Sequence, residues 1–196
     1  MMLKRLIMGV MVFSFLGGFC FGLKEFKADP VHSSISFTIR HLMVSKVMGH
    51  FNDYEVIIMA DTEGIVDSTV SAVIKTASID TGNADRDKHL RTADFFDVAK
   101  FPEITFKSIA VKKKGAAYEL WGALTMHGVT KNIVIPFEIL GHTIDPEGVI
   151  RVGIEGKVTL DRKDYDISYN KTLDQGGMAL GNEVDIEILL ELIGKK

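Results

Sequence analysis

Apolar and polar residues alternate along most of this chain, and this pattern limits the folds it can adopt. Ile150, Val152 and Ile154, for example, are separated by Arg151 and Gly153. An alternation with a period of two places one side of a strand in an apolar interior and the other in water. It favours antiparallel sheet, because strands of buried parallel sheets are apolar on both faces. Eight strands are predicted near residues 34–42, 47–60, 68–77, 104–113, 117–126, 131–142, 149–160 and 183–193.

Turn-forming residues separate these runs, as at Asp145–Gly148. Eight antiparallel strands with short connections predict a closed all-β barrel whose interior can hold one small ligand. A sandwich of two sheets is the alternative, since it has the same alternation. Pro136 cannot donate a hydrogen bond within a strand, so a β-bulge is predicted there.

One segment between the strands has no alternation and predicts a short helical insertion near residues 84–97. Asn83 is suited to the helix N-cap, and acidic residues follow it in the first turn. A helix near residues 84–91 and a further helical turn near 93–97 are expected, ending before Pro102. An insertion of this kind is suited to cover the mouth of a barrel.

The first 22 residues have the pattern of a secretory signal peptide: Lys4 and Arg5, then an apolar stretch, then small residues. A retained membrane anchor is the alternative, although the stretch is short for a span. We expect cleavage of residues 1–22, leaving 23–196 as one domain in the periplasm or secreted. The only cysteine of the chain, Cys20, lies in this segment, so the domain would contain no disulfide.

The composition argues against several functions. A formal charge of −3 over 196 residues gives no general attraction to nucleic acid. The six histidines form no closely spaced ligand pair, so neither a metal site nor a cofactor is predicted. No nucleophile motif of the hydrolases is present, and no catalytic residue is assigned.

Two small clusters of titratable residues leave an enzymatic alternative open. Asp29, His32 and Ser33 include the residue types of a catalytic triad, although a turn cap explains them as well. On a helix, Arg86 and His89 share one face, where they would either belong to a solvated helix end with local ion pairs or meet the polar head of a ligand.

Blocks of residues across the whole of residues 23–196 resemble the YceI-like family. The first is the string DPVHSSISFTIRH that begins at Asp29. The others are Gly49–Phe51, Ser78–Asn83, Arg86–Leu90, Asp94–Asp97, Pro102–Ser108, Gly122–Lys131 and Arg162–Ile167. Asp166 departs from the glycine that many members carry. The resemblance implies a periplasmic, lipocalin-like eight-stranded barrel that binds long apolar ligands such as polyisoprenoids or fatty-acid amides. It implies no enzymatic activity, and it implies that a homodimer can form.

Candidate ligand contacts follow from combining the resemblance with the alternation. Arg86 and His89 are predicted to contact the ligand head group. The predicted apolar lining, which is equally consistent with an ordinary filled core, consists of Phe37, Ile39, Phe51, Ile58, Leu90, Phe95, Phe96, Ile104, Phe106, Leu120, Leu124 and Met126.

The predicted function is a periplasmic or secreted binding or carrier protein for a long apolar lipid: a polyisoprenoid, an isoprenoid quinone, or a fatty acid or amide. One alternative is a hydrolase or metal-dependent enzyme that uses Asp87, His89 or His32. The other is a structural or stress-protective envelope protein whose barrel is filled by its own side chains.

Overall fold

Antiparallel strands account for most of the chain in the computed structural model, which describes residues 23–61, 64–173 and 177–194. The proposed signal segment lies outside the described residues. The elements are β1 (Lys24–Ala28), β2 (Ser34–His41), β3 (Ser45–Phe51), β4 (Tyr54–Asp61), β5 (Gly64–Lys75), β6 (Ile79–Asp80), α1 (Ala84–Leu90), β7 (Glu103–Lys114), β8 (Ala117–Met126), β9 (Val129–Ile144), β10 (Ile150–Asp161) and β11 (Leu180–Gly194). Two 3₁₀ turns cover Thr76–Ser78 and Arg162–Tyr165.

The sheet closes on itself as an eight-stranded barrel. Its hydrogen-bonded order is β1-β4-β5-β7-β8-β9-β10-β11, and β1 pairs with β11 to complete the ring, with Phe26 opposite Gly194. Closure removes the exposed edges that an open sheet would leave. The prediction of a closed antiparallel barrel is therefore confirmed, and the sandwich alternative is wrong.

The barrel wall is extended at one end because two of its strands are interrupted. β1 and β2 both pair with β11, along residues 192–194 and 180–189 respectively. The neighbouring position of the wall is likewise shared by two strands: β3 pairs with β2, and β4 pairs with β1. The single strand predicted over 47–60 is therefore two strands, separated at Asn52 and Asp53. β1 has no counterpart among the predicted runs.

The insertion between β6 and β7 contains a helix as expected, but only one. Asn83 caps α1, and its Oδ1 accepts a hydrogen bond from Arg86 N–H at 3.0 Å. The predicted helical turn at residues 93–97 is wrong: these residues form successive turns, and Asp97 has a φ of 44°. In this turn conformation, Phe95 is buried and the next residue, Phe96, is partly buried against the core.

The bulge predicted at Pro136 lies elsewhere on β9. The register between β9 and β10 shifts at Leu140, between the pairs Gly153–Gly141 and Ile154–Ile139. Pro136 is one residue beyond the last pair of this ladder, Gly156–Phe137, and it is exposed.

Within the described ranges, no helix has both the length and the apolarity that a membrane span requires.

Candidate functional site

The barrel encloses a cavity of about 470 Å³. Small-molecule sites typically measure roughly 300–1,000 Å³. Every strand except β1 contributes side chains to the cavity wall, because alternate residues of each strand point inward. Apart from His41 at the end of β2, the strand residues that form this wall are apolar, so an occupant would be held by burial of apolar surface.

The structure brings most of the predicted lining together around this cavity. Arg86 and His89 also lie on its wall. Ile58 is the exception: it is buried in the core beside β1, where it is paired with Phe26, and it is not part of the cavity wall. The predicted residues that line the cavity are Phe37, Ile39, Phe51, Leu90, Phe95, Phe96, Ile104, Phe106, Leu120, Leu124 and Met126.

Aromatic rings pack against one another toward the end of the cavity that α1 covers. The rings of Phe37 and Phe51 are 5.9 Å apart, and Phe96 meets Phe51 edge to face at the same distance. Such pairs are favourable beyond the area they bury. Gly49 makes room for this packing, since a Cβ there would lie 2.5 Å from Cζ of Phe37. The insertion thus joins the lining through aromatic contacts.

The polar residues of the cavity wall gather at the same end, which we call the mouth. Arg86 donates from Nε to Thr81 Oγ1 at 2.7 Å and from Nη2 to the Thr81 carbonyl at 2.9 Å. His89 Nε2 is 2.7 Å from a carboxylate oxygen of Asp94, and its ring packs edge to face on Phe95. The residues of the mouth are His41, Thr81, Arg86, His89, Arg162, Tyr169 and Lys171.

Arg162 is a residue of the mouth that sequence reasoning missed. Only 5% of it is exposed, and burial lowers the pKa of its guanidinium. Nε donates to the Gly181 carbonyl at 2.9 Å, and Nη1 donates to the carbonyls of Ile167 and Tyr169 at 2.7 and 2.8 Å. Arg162 therefore fastens the segment between β10 and β11 over the mouth. Its only sequence signal was its place in a family block.

The lining from the later strands was also missed, although its signal was the same alternation. These strands were assigned an apolar inner face, but nothing in the sequence showed that this face reaches the cavity rather than the filled core. The missed apolar residues on β9, β10 and β11 are Ile133, Ile135, Val158, Leu160, Leu180, Val184, Ile186, Ile188 and Leu190.

The charged side chains on the described cavity wall are all basic. Arg86, Arg162 and Lys171 belong to it, together with two histidines, whereas no aspartate or glutamate of the described residues does. Cations grouped at a low-dielectric opening produce a local positive potential. The mouth is therefore suited to a ligand group that carries negative charge or accepts hydrogen bonds.

The residues of the enzymatic alternative do not converge on one site. Asp87 is buried and accepts hydrogen bonds from Thr81 N–H at 2.9 Å and from Thr81 Oγ1 at 2.5 Å. It fixes the start of the insertion and is not part of the cavity wall. His32 lies between β1 and β2, where its Nδ1 is 2.9 Å from Asp29.

Asp29, His32 and Glu191 lie close enough to one another to bind a metal ion together. Arg151, however, already places its Nη1 2.6 Å from Glu191 and 3.5 Å from Asp29. The hydrogen bond that His32 makes with Asp29 raises the pKa of His32, and the Glu191 charge adds to this effect. These contacts explain the cluster as an ion-pair network that ties β10 and β11 to the β1–β2 connection.

Comparison with known proteins extends the likeness over almost the whole barrel. The YceI-like domain family matches residues 26–192. A UPF0312 protein of Pectobacterium carotovorum is 36% identical over 198 residues, covering 100% of both chains. Protein YceI of Salmonella newport is 37% identical over 174 residues, covering 88% of both chains.

Solved structures share the fold. A YceI protein of Campylobacter jejuni superimposes with a TM-score of 0.70 at 30% identity, covering 81% of this chain and 91% of the other. BcnA of Burkholderia cenocepacia gives 0.73 at 20% identity, covering 86% and 99%. A polyisoprenoid-binding domain of Saccharophagus degradans gives 0.64 at 14% identity, covering 87% and 98%.

Proposed function

This chain belongs to the YceI-like domain family, and from its enclosed cavity we propose that it binds and carries a long apolar lipid without covalent chemistry. The observation that carries the proposal is an apolar cavity, inside a closed barrel, whose polar residues lie at one end. The lipid class is a polyisoprenoid, an isoprenoid quinone, or a fatty acid or amide. The fold-sharing domain of Saccharophagus degradans is described as polyisoprenoid-binding, which supports this class.

Burial of the chain supplies the affinity in this proposal. Each methylene removed from water contributes about 0.8 kcal/mol, so ten contribute about 8 kcal/mol. That gain offsets the loss of translational and conformational freedom on binding, roughly 4–15 kcal/mol. An apolar tail of this size needs no array of polar contacts within the barrel, in agreement with a wall that is apolar away from the mouth.

The mouth determines how the lipid lies in the barrel. The tail extends among the apolar strand residues, and the head group lies near Arg86 and His89, with Arg162 and Lys171 close to it. A phosphate, a carboxylate or a quinone or amide oxygen can accept hydrogen bonds there, and the grouped cations favour the anionic heads most. A neutral hydrocarbon would gain nothing at this end.

We extend the proposal to the place where the protein acts: the periplasm or the extracellular medium, after cleavage of residues 1–22. The support is the basic start and apolar stretch of that segment. Fractionation of expressing cells, with mass determination of the N-terminus, tests it. A mature chain starting at Leu23 supports the proposal, and a full-length chain retained in the cytoplasm contradicts it.

Organic extraction of the purified protein, followed by mass spectrometry, tests the binding function. A lipid recovered with the native protein, or taken up from a supplied mixture of prenols and fatty acids, is the expected result. Ala72→Trp places a large side chain on the cavity wall and should lower the recovered lipid at least tenfold. Ser71→Trp, on the exposed face of the same strand, should leave it unchanged.

The outcomes separate the candidate functions. Protein that neither carries nor takes up lipid contradicts the carrier function and favours a structural role, although the barrel is not filled by its own side chains. Equal recovery from both tryptophan variants shows that the lipid binds outside the cavity. Turnover of a supplied ester that is lost in His89→Ala would instead support the enzymatic alternative.

A further inference from the structure

The connection between β2 and β3 exposes apolar side chains at the mouth end of the barrel. This connection, Leu42–Val44, is named here the β2–β3 turn. Met43 is 63% exposed and Val44 is 85% exposed. Met48, on the outer face of β3, is also 71% exposed, but Lys46 separates it from Val44 on that face. Contiguous exposed apolar residues on a soluble domain mark an interaction site.

The backbone of the β2–β3 turn has a tight hairpin geometry that its own residues, Leu42 and Met43, adopt only with strain. Val44 N–H donates to the His41 carbonyl at 3.2 Å, and the two central residues have left-handed φ angles, 49° at Leu42 and 62° at Met43. Hairpin turns with two such residues strongly prefer Asn-Gly, which adopts these angles with little strain. Backbone strain of this kind concentrates at functional sites.

The β2–β3 turn adjoins the opening of the cavity. Leu42 N–H donates to the Ala179 carbonyl at 2.7 Å, which joins the turn to the segment leading into β11. Ala179 and His41 both line the cavity, as does Val47 on the inner face of β3. A surface that touched this turn would therefore lie beside the route by which a lipid enters the barrel.

The charged residues of β2, the turn and β3 are basic, although the whole chain carries a formal charge of −3. Arg40 and Lys46 flank the turn as a cross-strand pair, and both are exposed. The sequence from Val31 to Asn52 contains no aspartate or glutamate. The exposed apolar tip is thus flanked within its own hairpin by basic side chains. Acidic side chains lie on the neighbouring strand β11, where Asp185 pairs with Thr38 and Glu187 pairs with Ser36.

We propose that the β2–β3 turn docks the barrel on an anionic lipid bilayer, with Met43 and Val44 entering the headgroup region and Arg40 and Lys46 pairing with lipid phosphates. Apolar side chains bordered by lysine and arginine are the arrangement by which proteins bind membrane interfaces. Docking in this orientation turns the mouth toward the membrane, so that a lipid passes between bilayer and cavity without crossing water.

Vesicle flotation of the chain Leu23–Lys196, which contains all the described strands, tests the docking. Binding to vesicles of phosphatidylglycerol and phosphatidylethanolamine is expected, with much weaker binding to phosphatidylcholine alone and weakening by added salt. Leu42→Asn combined with Met43→Gly should weaken binding at least tenfold. The same double variant should raise the midpoint of urea unfolding, because these residues suit the turn. Loss of binding therefore could not be attributed to unfolding.

Val44→Ser and Ile144→Ser form a matched pair. Ile144 is 68% exposed but lies at the opposite end of the barrel, at the end of β9. Val44→Ser should weaken vesicle binding severalfold and Ile144→Ser should not. Equal binding by wild type and the Asn-Gly variant would overturn the proposal, as would equal effects of the paired serine variants. A dimer that forms through the turn, in place of vesicle binding, would also overturn it.

Vesicle binding is measured without a ligand in the cavity, so its outcome is distinguishable from that of the proposed carrier function. Failure of docking with retained lipid uptake would remove the membrane contact alone. Docking without lipid uptake would remove the carrier function alone.

Discussion

Replacing Arg162 by alanine tests whether this one side chain holds the mouth together. Its guanidinium supplies hydrogen bonds to the carbonyls of Gly181, Ile167 and Tyr169. Hydrogen bonds that involve a charged group contribute about 1.5–3 kcal/mol each, and burial of the cation offsets several kcal/mol of that sum. Because removal also leaves the buried Ile167 carbonyl and the two part-buried carbonyls without this donor, we expect the free energy of unfolding to fall by about 3–5 kcal/mol.

Urea unfolding followed by far-ultraviolet circular dichroism measures this change, with the Arg40→Ala variant as control. Arg40 is exposed, so its loss should change the free energy of unfolding by less than about 0.5 kcal/mol. Arg162→Lys keeps the charge but lacks the planar fork of donors, and an intermediate loss is expected. Lipid uptake should fall from wild type to Arg162→Lys and further in Arg162→Ala. A loss below about 1 kcal/mol for Arg162→Ala, with unchanged lipid uptake, would refute the reasoning.

Two further predictions concern His32 and Gly49. Because Asp29 and Glu191 raise the pKa of His32, the protonated ring stabilises the fold below about pH 6.5, and this stabilisation is lost as the pH rises through the raised pKa. His32→Gln should abolish that slope in urea midpoints measured from pH 6 to 9, and an unchanged slope would contradict the assignment. Gly49→Ala should lower the free energy of unfolding by about 1–3 kcal/mol, because its Cβ collides with Phe37 and with the Asp80 carbonyl. An unchanged urea midpoint would contradict this steric account.

The barrel could be predicted from the sequence because the alternation of apolar and polar residues is a local property that is visible within each predicted strand. β1 was missed because Lys24–Ala28 is short and offers only one apolar residue of size, Phe26, to the core. The interruption between β3 and β4 was missed because Asn52 and Asp53 resemble an ordinary polar step within an alternating run. Their backbones instead pair with Ser78 and Lys75.

The cavity could be predicted only in part, because the sequence pattern of an inward-facing phenylalanine or isoleucine is the same whether the side chain faces packed core or open space. Ile58 illustrates this limit: it points inward, but it lies at the level of β1, where Phe26 and its neighbours fill the barrel. The level of Ile58 along the barrel axis depends on strand register and on the interrupted strands, and no local sequence pattern encodes either. Arg162 was missed because a basic residue at a strand end usually lies in water.

Affinity across a series of straight-chain fatty acids of increasing length tests most directly the claim that the cavity holds an apolar chain. Each additional methylene buried among the apolar wall residues should tighten binding by up to about fourfold, corresponding to about 0.8 kcal/mol. The gain should stop once the cavity of about 470 Å³ is full, and Ala72→Trp should move that limit to a shorter chain. Affinity that is independent of chain length, or a limit that Ala72→Trp does not move, would contradict the account.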